Sequence, residues 1–435
     1  MLKRDAYQDM LEWKRLKTHQ GLLVTGARQV GKTTLVREFA HQNYKELAEI
    51  NFLENPQAIQ IVQEATNSKD LLLRLSVLTN SNLEPEKTLL FLDEIQECKD
   101  ILTWLKFLAE ANNIDIVLSG SLLGVGLFNV RSYPVGFVQQ LEMHPFSFKE
   151  FCQACDFPQS AMGTVAESFQ KRMPVPDYIH NKLMELFYKY LLVGGMPDAV
   201  SAFVKDGTLP RVRNVQRALF DAYEGDITKY VESPVERRHI KTIYEAIPNQ
   251  LNHQNKRFKF NKLGENSRFS HMQTAFDWLE NAGIALPTLR VQDPLYQLGQ
   301  QADTSSFKLF MNDVGLLTSR LMSDTDLQIL SGKATINFGS IFENAAAQEL
   351  VYAGHDLFYY NSNRVGEVDF LIQNTIGEVS LVEIKSGKDY KRHRAMTGLL
   401  RTQNYSFKHA FVFHNGNVQC EDKVEYLPIY MIMFV

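Results

Sequence analysis

The sequence predicts an α/β protein of more than one domain, opening with a parallel sheet covered on both faces by helices. Three observations predict it. Short continuous apolar runs, Gly21-Leu-Leu-Val-Thr25, Thr88-Leu-Leu-Phe-Leu92 and Ile114 to Leu118, alternate with helical stretches in the first part. Runs that are continuous rather than alternating belong to strands buried on both faces. Residues 160–250 then carry a largely helical pattern, interrupted at Gly194-Gly195-Met196-Pro197. From about Phe338 a helix is followed by the strand-like runs Val368 to Ile372, Val379 to Ile384 and His409 to Phe413, a second and smaller α/β unit. At 435 residues the chain exceeds one ordinary core, and two to four domains of about 100–200 residues are expected.

The first apolar run leads into Gly26-Ala-Arg-Gln-Val-Gly-Lys-Thr33, which satisfies the spacing G-x-x-x-x-G-K-[ST] at every position. The chemistry accounts for each residue. Gly26 and Gly31 let the backbone turn its N–H groups toward phosphate oxygens. Lys32 reaches the β and γ phosphates, and Thr33 supplies a hydroxyl to Mg²⁺. A helix expected over Lys32 to His41 then presents its positive end to the anion. With a strand before and a helix after, the loop reads as an ATP site, to which Arg28 and Thr34 are also assigned.

The second run ends in Asp93-Glu94. Carboxylates at the carboxyl end of a buried parallel strand sit where such sheets bind ligands. Asp93 is expected to hold Mg²⁺ and Glu94 to orient and activate the attacking water. The third run ends in Ser119-Gly-Ser121. Ser119 is a candidate to sense the γ phosphate, though serine and glycine also mark generic strand exits.

These motifs, with Arg28 and Gln29 inside the loop, Leu92-Asp-Glu-Ile-Gln96, Leu118-Ser-Gly-Ser-Leu122 and Leu141-Glu-Met-His-Pro-Phe-Ser-Phe-Lys-Glu-Phe151, resemble prokaryotic AAA-type ATPases that carry an uncharacterised C-terminal domain. Tyr190-Leu-Leu-Val-Gly-Gly-Met-Pro197, Asp226-Ile-Thr-Lys-Tyr230 and Lys308-Leu-Phe-Met-Asn-Asp-Val-Gly-Leu316 extend the resemblance over nearly the whole chain. It implies a P-loop ATPase domain over 1–155, a helical region with a possible winged helix over 156–335, and an α/β domain over 336–435. Some relatives have a basic residue after the glycine of Gly136-Phe137. Phe137 supplies no cation, so no arginine finger is assigned.

In the last third, Glu343 lies in the helix expected over Phe338 to Leu350, Asp369 in Gly366-Glu-Val-Asp-Phe-Leu-Ile372, and Glu383 and Lys385 in Leu381-Val-Glu-Ile-Lys-Ser-Gly387. Side chains two apart on a strand share a face, so Glu383 and Lys385 point the same way. This order of helix acid, strand Asp and strand Glu-x-Lys resembles the restriction-endonuclease-like nuclease core. The resemblance implies Asp369 and Glu383 as ligands of Mg²⁺ or Mn²⁺ with Glu343 completing the site, Lys385 acting on the attacking water, and Glu367 behind them. A nuclease-like fold that no longer cuts, or a solvated sheet edge, fits the same spacing.

Two basic stretches bear on partners. Lys256, Arg257, Lys259, Lys262 and Arg268, with Glu265 as the one carboxylate among them, precede a helix expected over Ser270 to Asn281 that stops at Gly283, an arrangement compatible with a winged-helix DNA contact. Lys388, Lys391, Arg392, His393 and Arg394 follow the Glu-x-Lys pair. Each stretch is able to bind phosphates by counterion release and equally able to be a solvated face. The net charge of −4 excludes chain-wide affinity for nucleic acid of the histone kind.

The four cysteines, Cys98, Cys152, Cys155 and Cys420, are too few for a disulfide framework. Cys152-x-x-Cys155 reads as two small residues of a capped helix, since a zinc site needs two further ligands. The charged start, Met1-Leu-Lys-Arg-Asp, shows no export signal, and no apolar run reaches the ~20 residues that span a bilayer. The expectation is a cytoplasmic protein, homo-oligomeric or with a protein partner. The first functional hypothesis is a Mg²⁺-dependent ATPase coupled to DNA binding, with metal-dependent cleavage as its extension. The alternative is an ATP-switched regulatory or interaction protein with a non-cutting nuclease-like domain.

Overall fold

The computed structural model describes residues 2–17, 20–112, 114–121, 136–253, 256–263, 269–295, 297–321 and 338–435. The chain forms two compact units. The first comprises Met1–His144 with Asn281–Gly283, the second Pro145–Glu280 with Ile284–Val435.

In the first unit, strands β1 (Gly21–Thr25), β2 (Glu46–Asn51), β3 (Thr88–Asp93), β4 (Asp115–Ser119) and β5 (Val138–Glu142) form a sheet in the order β2-β3-β4-β1-β5. All its pairings are parallel. Every residue of β1 and β3 is buried, as continuous apolar strands between two helical layers must be. Helix α1 (Ala6–Leu16) precedes the first strand, and α2 (Lys32–Asn43), α3 (Pro56–Gln63), α4 (Ser68–Thr79) and α5 (Asp100–Asn112) lie between the strands in sequence. Leu71 and Leu75 of α4 and Ile101 and Leu105 of α5 join Leu23, Ile50, Leu90, Leu92 and Leu118 of the sheet in one buried cluster. Each such side chain contributes about 1.5–3 kcal/mol when fully buried. Tyr7 and Trp13 of α1 meet Phe39 of α2, with ring centroids 5.8 and 6.4 Å apart.

The second unit is helical first. Its helices α6 (Phe148–Ala154), α7 (Gln159–Lys171), α8 (Asp177–Val193), α9 (Pro197–Asp206), α10 (Leu209–Tyr230) and α11 (Pro234–Leu251) occupy the region the sequence reads as helical. Helix α12 (Phe269–Asn281) follows, and α13 (Val314–Leu321), α14 (Gly339–Tyr352) and α15 (Arg394–Leu400) come later. A mixed sheet runs in the order β12-β13-β11-β10-β9-β8-β6-β7. Its members are β6 (Ala285–Val291), β7 (Ala302–Met311), β8 (Phe358–Ser362), β9 (Gly366–Gln373), β10 (Val379–Ile384), β11 (Ala410–His414), β12 (Gln419–Glu421) and β13 (Val424–Pro428).

The β6–β7 hairpin was not expected from the sequence. Pro287 inside β6 argues against a strand, because proline cannot donate to a ladder. It is tolerated because β8 pairs only with Leu289 to Val291, beyond the proline. The hairpin therefore belongs to the large sheet and is not a free-standing wing after α12. Arg268 and Glu265 of the first basic stretch lie outside the described residues.

Helix α14 explains the unusual polarity of this unit's core. Ser340 to Leu350 are all buried, and three of its polar side chains find partners in neighbouring elements, as burial requires. Asn344 accepts from Met311 N at 2.8 Å and donates to Met311 O at 3.0 Å. Gln348 accepts from Val314 N at 2.9 Å. Glu349 accepts from Phe148 N at 2.8 Å and from the Tyr190 hydroxyl at 3.1 Å. One helix thus fixes the end of β7 and the starts of α6 and α13.

The double glycine at 194–195 has an equally local cause. Gly194 has φ +73°, and a Cβ there would lie 2.2 Å from Asp313 Oδ1. On Gly195 a Cβ would meet Phe146 O at 2.1 Å. Gly195 N donates to Asp313 Oδ2 at 2.6 Å, and Leu316 N donates to Asp313 Oδ1 at 2.9 Å. The motifs at 190–197 and 308–316 are two halves of one junction.

Cys152 and Cys155 sit in and at the end of α6, which opens with a reciprocal Ser147–Glu150 capping box. All four cysteines are free thiols. Among the described residues, no helix is long and apolar enough to cross a membrane.

Candidate functional site

Glycine geometry builds the nucleotide loop. Gly26 has φ +129° and Gly31 φ +95°, both in the region that L side chains avoid. A Cβ on Gly26 would lie 2.0 Å from Met143 O, so the loop closes against the end of β5 only with glycine there. Lys32 is buried, and its ammonium donates to Gly26 O at 3.0 Å and Ala27 O at 2.8 Å. The cation is held over the loop's own backbone, where phosphate oxygens would compete for it. Arg28 is half-buried, and Thr34 is exposed on the first turn of α2. Arg4, not singled out in the sequence, donates to Val30 O at 2.8 Å and His144 O at 2.6 Å, bracing the loop from behind.

Sheet register brings the remaining groups together. Asn51 pairs with Asp93 across β2 and β3, Leu92 with Leu118 across β3 and β4, and Val24 with Ser119 across β1 and β4. The carboxyl ends of four strands therefore meet at one edge. The Asp93 carboxylate, 2% exposed, is fully engaged there. It accepts from Thr33 Oγ1 at 3.0 Å, Asn51 Nδ2 at 3.2 Å, Glu94 N at 3.0 Å and the Ser119 hydroxyl. The predicted set of Thr33, Asp93 and Ser119 is one contact group. Asn51 was missed, because nothing in Glu-Leu-Ala-Glu-Ile-Asn marks its end as functional.

Glu94 has φ +55°, a left-handed conformation uncommon outside glycine. Such residues gather where structure around them enforces a functional orientation. Its carboxylate accepts from the Gln96 amide and, at 3.4 Å, from Ser121 Oγ. Asp93 thus bridges Thr33 and Ser119, while Glu94 meets Gln96 and Ser121 just past β4.

Residues 18–152 match the family described as AAA domain. The described residues of this stretch have the parallel sheet of the P-loop ATPase fold. Residues 184–327 and 338–432 match two domains of unknown function, DUF8612 and DUF4143. Among solved structures, the chain resembles the Walker-type ATPase PABY2304 of Pyrococcus abyssi at 14% identity and TM-score 0.46, covering 74% of this chain and 96% of that one. It also resembles the RuvB Holliday junction branch migration motor of Thermotoga maritima, at 15% identity and TM-score 0.30, covering 65% and 89%. Cdc6p of Pyrobaculum aerophilum is similar at 13% identity and TM-score 0.25, covering 76% and 96%. A comparison with curated protein sequences finds no match.

Beyond the ATPase domain, the structure gathers Glu343 on α14, Asp369 on β9, and Glu383 and Lys385 on and just past β10. Lys385 Nζ lies 2.7 Å from Glu383 Oε1, on the shared face the spacing predicts. Asp369 Oδ2 accepts from Ile384 N at 2.8 Å. Burial and then Glu343 raise the Asp369 carboxyl, against Lys308 and Lys256. Burial and then Asp369 push Glu383 up to about 8, against the pull of Lys385.

Lysines the sequence reading did not place here complete the cluster. Lys308 of β7 is 0% exposed. Its ammonium lies 2.7 Å from Glu367 Oε1, 3.7 Å from Glu343 Oε2 and 3.9 Å from Asp369 Oδ1, and 5.0 Å from the centre of the Tyr359 ring. The ammonium of Lys256 pairs with Glu343 Oε1, so this lysine is not part of a solvated basic face. Among the described residues, no three His, Cys, Asp or Glu side chains are grouped to hold a metal ion. The expected ligand set of Glu343, Asp369 and Glu383 is not assembled as a cage, because lysine ammonium groups lie among its carboxylates.

Of the first basic stretch, Lys259 and Lys262 are exposed, with Lys262 Nζ 2.7 Å from His253 Nε2. In the second, Lys388, Lys391, Arg392 and Arg394 are exposed while His393 is buried. Arg364 and Arg401 join that second group in space, and neither was identified from the sequence.

Proposed function

We propose that this chain is a Mg²⁺-dependent ATPase that couples nucleotide turnover to DNA binding, and that its C-terminal domain is a nuclease-like fold that binds without cutting. The observation that carries the first part is Asp93, held by Thr33, Asn51 and Ser119 at the mouth of the phosphate loop. Thr33 and Asp93 offer hard oxygen donors of the kind Mg²⁺ prefers. When bound, the ion neutralises charge on the β and γ phosphates. Lys32 binds the same phosphates, and Glu94 takes the proton of the attacking water. Arg28 and Thr34 line the phosphate loop beside them.

Charge balance supports the non-cutting reading. Glu343, Glu367, Asp369 and Glu383 make four carboxylates against the three ammonium groups of Lys256, Lys308 and Lys385. With the Glu383 carboxyl raised by burial, its protonation leaves three of each. A cluster neutral without a divalent cation has little electrostatic reason to recruit one. On this reading Lys385 orients Glu383 and attacks nothing. Segment 1–155 is proposed as one module and segments 156–335 and 336–435 as a second, since β6 and β7 of the middle segment share a sheet with the C-terminal strands, in a cytoplasmic protein assembling with its own copies or a protein partner.

The test is ATP turnover by the full chain, with and without duplex and single-stranded DNA. Stimulation by DNA supports the coupling. An unchanged rate with every nucleic acid, beside ATP-dependent assembly with a protein, would favour the purely regulatory reading.

A further inference from the structure

The turn between β8 and β9 docks on α15. A Cβ on Gly398 would lie 2.8 Å from Val365 Cγ1, and one on Gly366 would lie 3.4 Å from Ala395 Cβ. Small residues thus let the turn approach the helix closely. The approach brings Arg364 to Lys391, Arg392, Arg394 and Arg401 around an open cleft of about 590 Å³.

The lining is unusual in its charge. It holds five cations and no carboxylate. Lys391 pairs outward with Glu421, and Arg392 approaches Asp389 at 3.8 Å. Arg364, Arg394 and Arg401 are exposed and make no ion pair with the described residues. His393 forms part of the floor. It is buried, with Nε2 2.8 Å from the Tyr426 hydroxyl and Nδ1 3.1 Å from Thr397 Oγ1. Burial disfavours its charged form, and its bonds to Tyr426 and Thr397 fix the start of α15, so it is a positioning residue rather than another cation.

We infer that this cleft binds the phosphodiester backbone of nucleic acid, without reading its bases. The inference rests on the nucleic-acid reading above and assigns it a place. Four of the five cations are arginines, whose planar forks match phosphate oxygens in pairs. With Lys391 and Arg392 facing carboxylates, the three remaining arginines still exceed the roughly −2 of a single phosphate group, so the matching ligand carries several phosphates in a row. Apart from the buried imidazole of His393, the described lining contains no aromatic ring, and it holds no asparagine or glutamine. Aromatic rings would stack bases and amides would read their edges. Cations bound to phosphate oxygens set position and affinity and carry no sequence information.

The experiment measures binding of the full chain to two labelled duplexes of unrelated sequence over a range of salt. Wild type is compared with the triple variant Arg364→Ala, Arg394→Ala, Arg401→Ala. Each lost phosphate contact removes about 0.9 from the slope of log affinity against log salt, so a flattening of about two to three is expected on both duplexes. A charge-matched control, Lys171→Ala, Lys205→Ala, Arg217→Ala, should keep the slope. Replacing the three arginines by lysine should restore most of it, and glutamine versions replace the alanines if thermal unfolding shows the triple variant to be misfolded. Wild-type binding with an unchanged slope in the variant would overturn the cleft while leaving the DNA reading intact. Efficient competition by inorganic phosphate at constant ionic strength would make it a small-anion site and overturn it as well. No binding of wild type at low salt would reject the nucleic-acid reading itself, and the cleft with it.

Discussion

The Thr33 hydroxyl donates to Asp93 Oδ2 at 3.0 Å across a separation of sixty residues. This bond joins the phosphate loop to the acidic strand, and both oxygens face the same edge of the sheet. If the pair holds Mg²⁺, Asp93→Asn should abolish the Mg²⁺-dependent part of ATP affinity. It should also cost about 1–3 kcal/mol, because the new amide faces the donors Asn51 Nδ2 and Glu94 N. Titration with a fluorescent ATP analogue, with and without Mg²⁺, checks this. The same Mg²⁺ increment in the variant would take Asp93 out of its role.

Lys32 and Glu94 should separate binding from chemistry. Lys32→Ala removes the cation beside the loop carbonyls and should weaken ATP binding. Glu94→Gln keeps Asp93 and Thr33 in place, so binding should persist while kcat falls by about 10²–10⁴, the usual worth of a positioned base. Equilibrium binding and single-turnover hydrolysis on both variants are the measurements. Unchanged turnover in Glu94→Gln would point to another base.

These residues were legible in the sequence because their chemistry is contiguous. A phosphate loop needs its glycines, lysine and threonine at fixed spacing, and an apolar run ending in two carboxylates marks a strand end. Asn51 was not legible, since its role arises from the β2–β3 register. The hairpin β6–β7 was hidden by Pro287, whose place beyond the β8 pairing is a tertiary fact. Lys308 was hidden more deeply. In Ser306-Phe-Lys-Leu-Phe310 an isolated lysine reads as the solvated face of a strand, and only α14 and β9 packed over it make it buried. Arg364 and Arg401 likewise meet through the docking of a turn on a helix.

Lys308 gives a test of the charge-balance reading. Lys308→Met keeps the length and apolar stem but leaves Glu343, Glu367 and Asp369 without their buried cation. Removing one partner of a buried ion pair typically costs about 3–5 kcal/mol. Chemical denaturation should show a loss of that size, partly recovered by Mg²⁺ or Mn²⁺ in the variant but not in wild type. Wild type should also leave DNA uncut with either ion. If wild type itself gains stability from Mn²⁺ and Asp369→Asn removes that gain, the cluster is a metal site after all.

The buried carboxyl of Glu349 should make the second unit less stable as pH rises. Burial pushes it up from 4.5 to about 7, against the bonds it accepts from Phe148 N and the Tyr190 hydroxyl. The sign follows from proton counts. Between pH 4.5 and 7 the unfolded chain has released this proton while the folded chain still holds it, so raising the pH favours unfolding. Below 4.5 both states hold the proton, and above 7 both have lost it, so the effect is confined to that window and then levels off. Glu349→Gln keeps the accepting oxygen and removes the charge. Asp313, pushed up to about 6, and Glu383 add slopes of the same sign, so the informative quantity is the difference between variant and wild type. Urea unfolding should give nearly equal stabilities at low pH and a variant more stable by on the order of 1–3 kcal/mol at pH 8. A difference that stays flat across the window would mean that Glu349 remains ionised in the fold, held by Phe148 N and Tyr190 more strongly than burial opposes it.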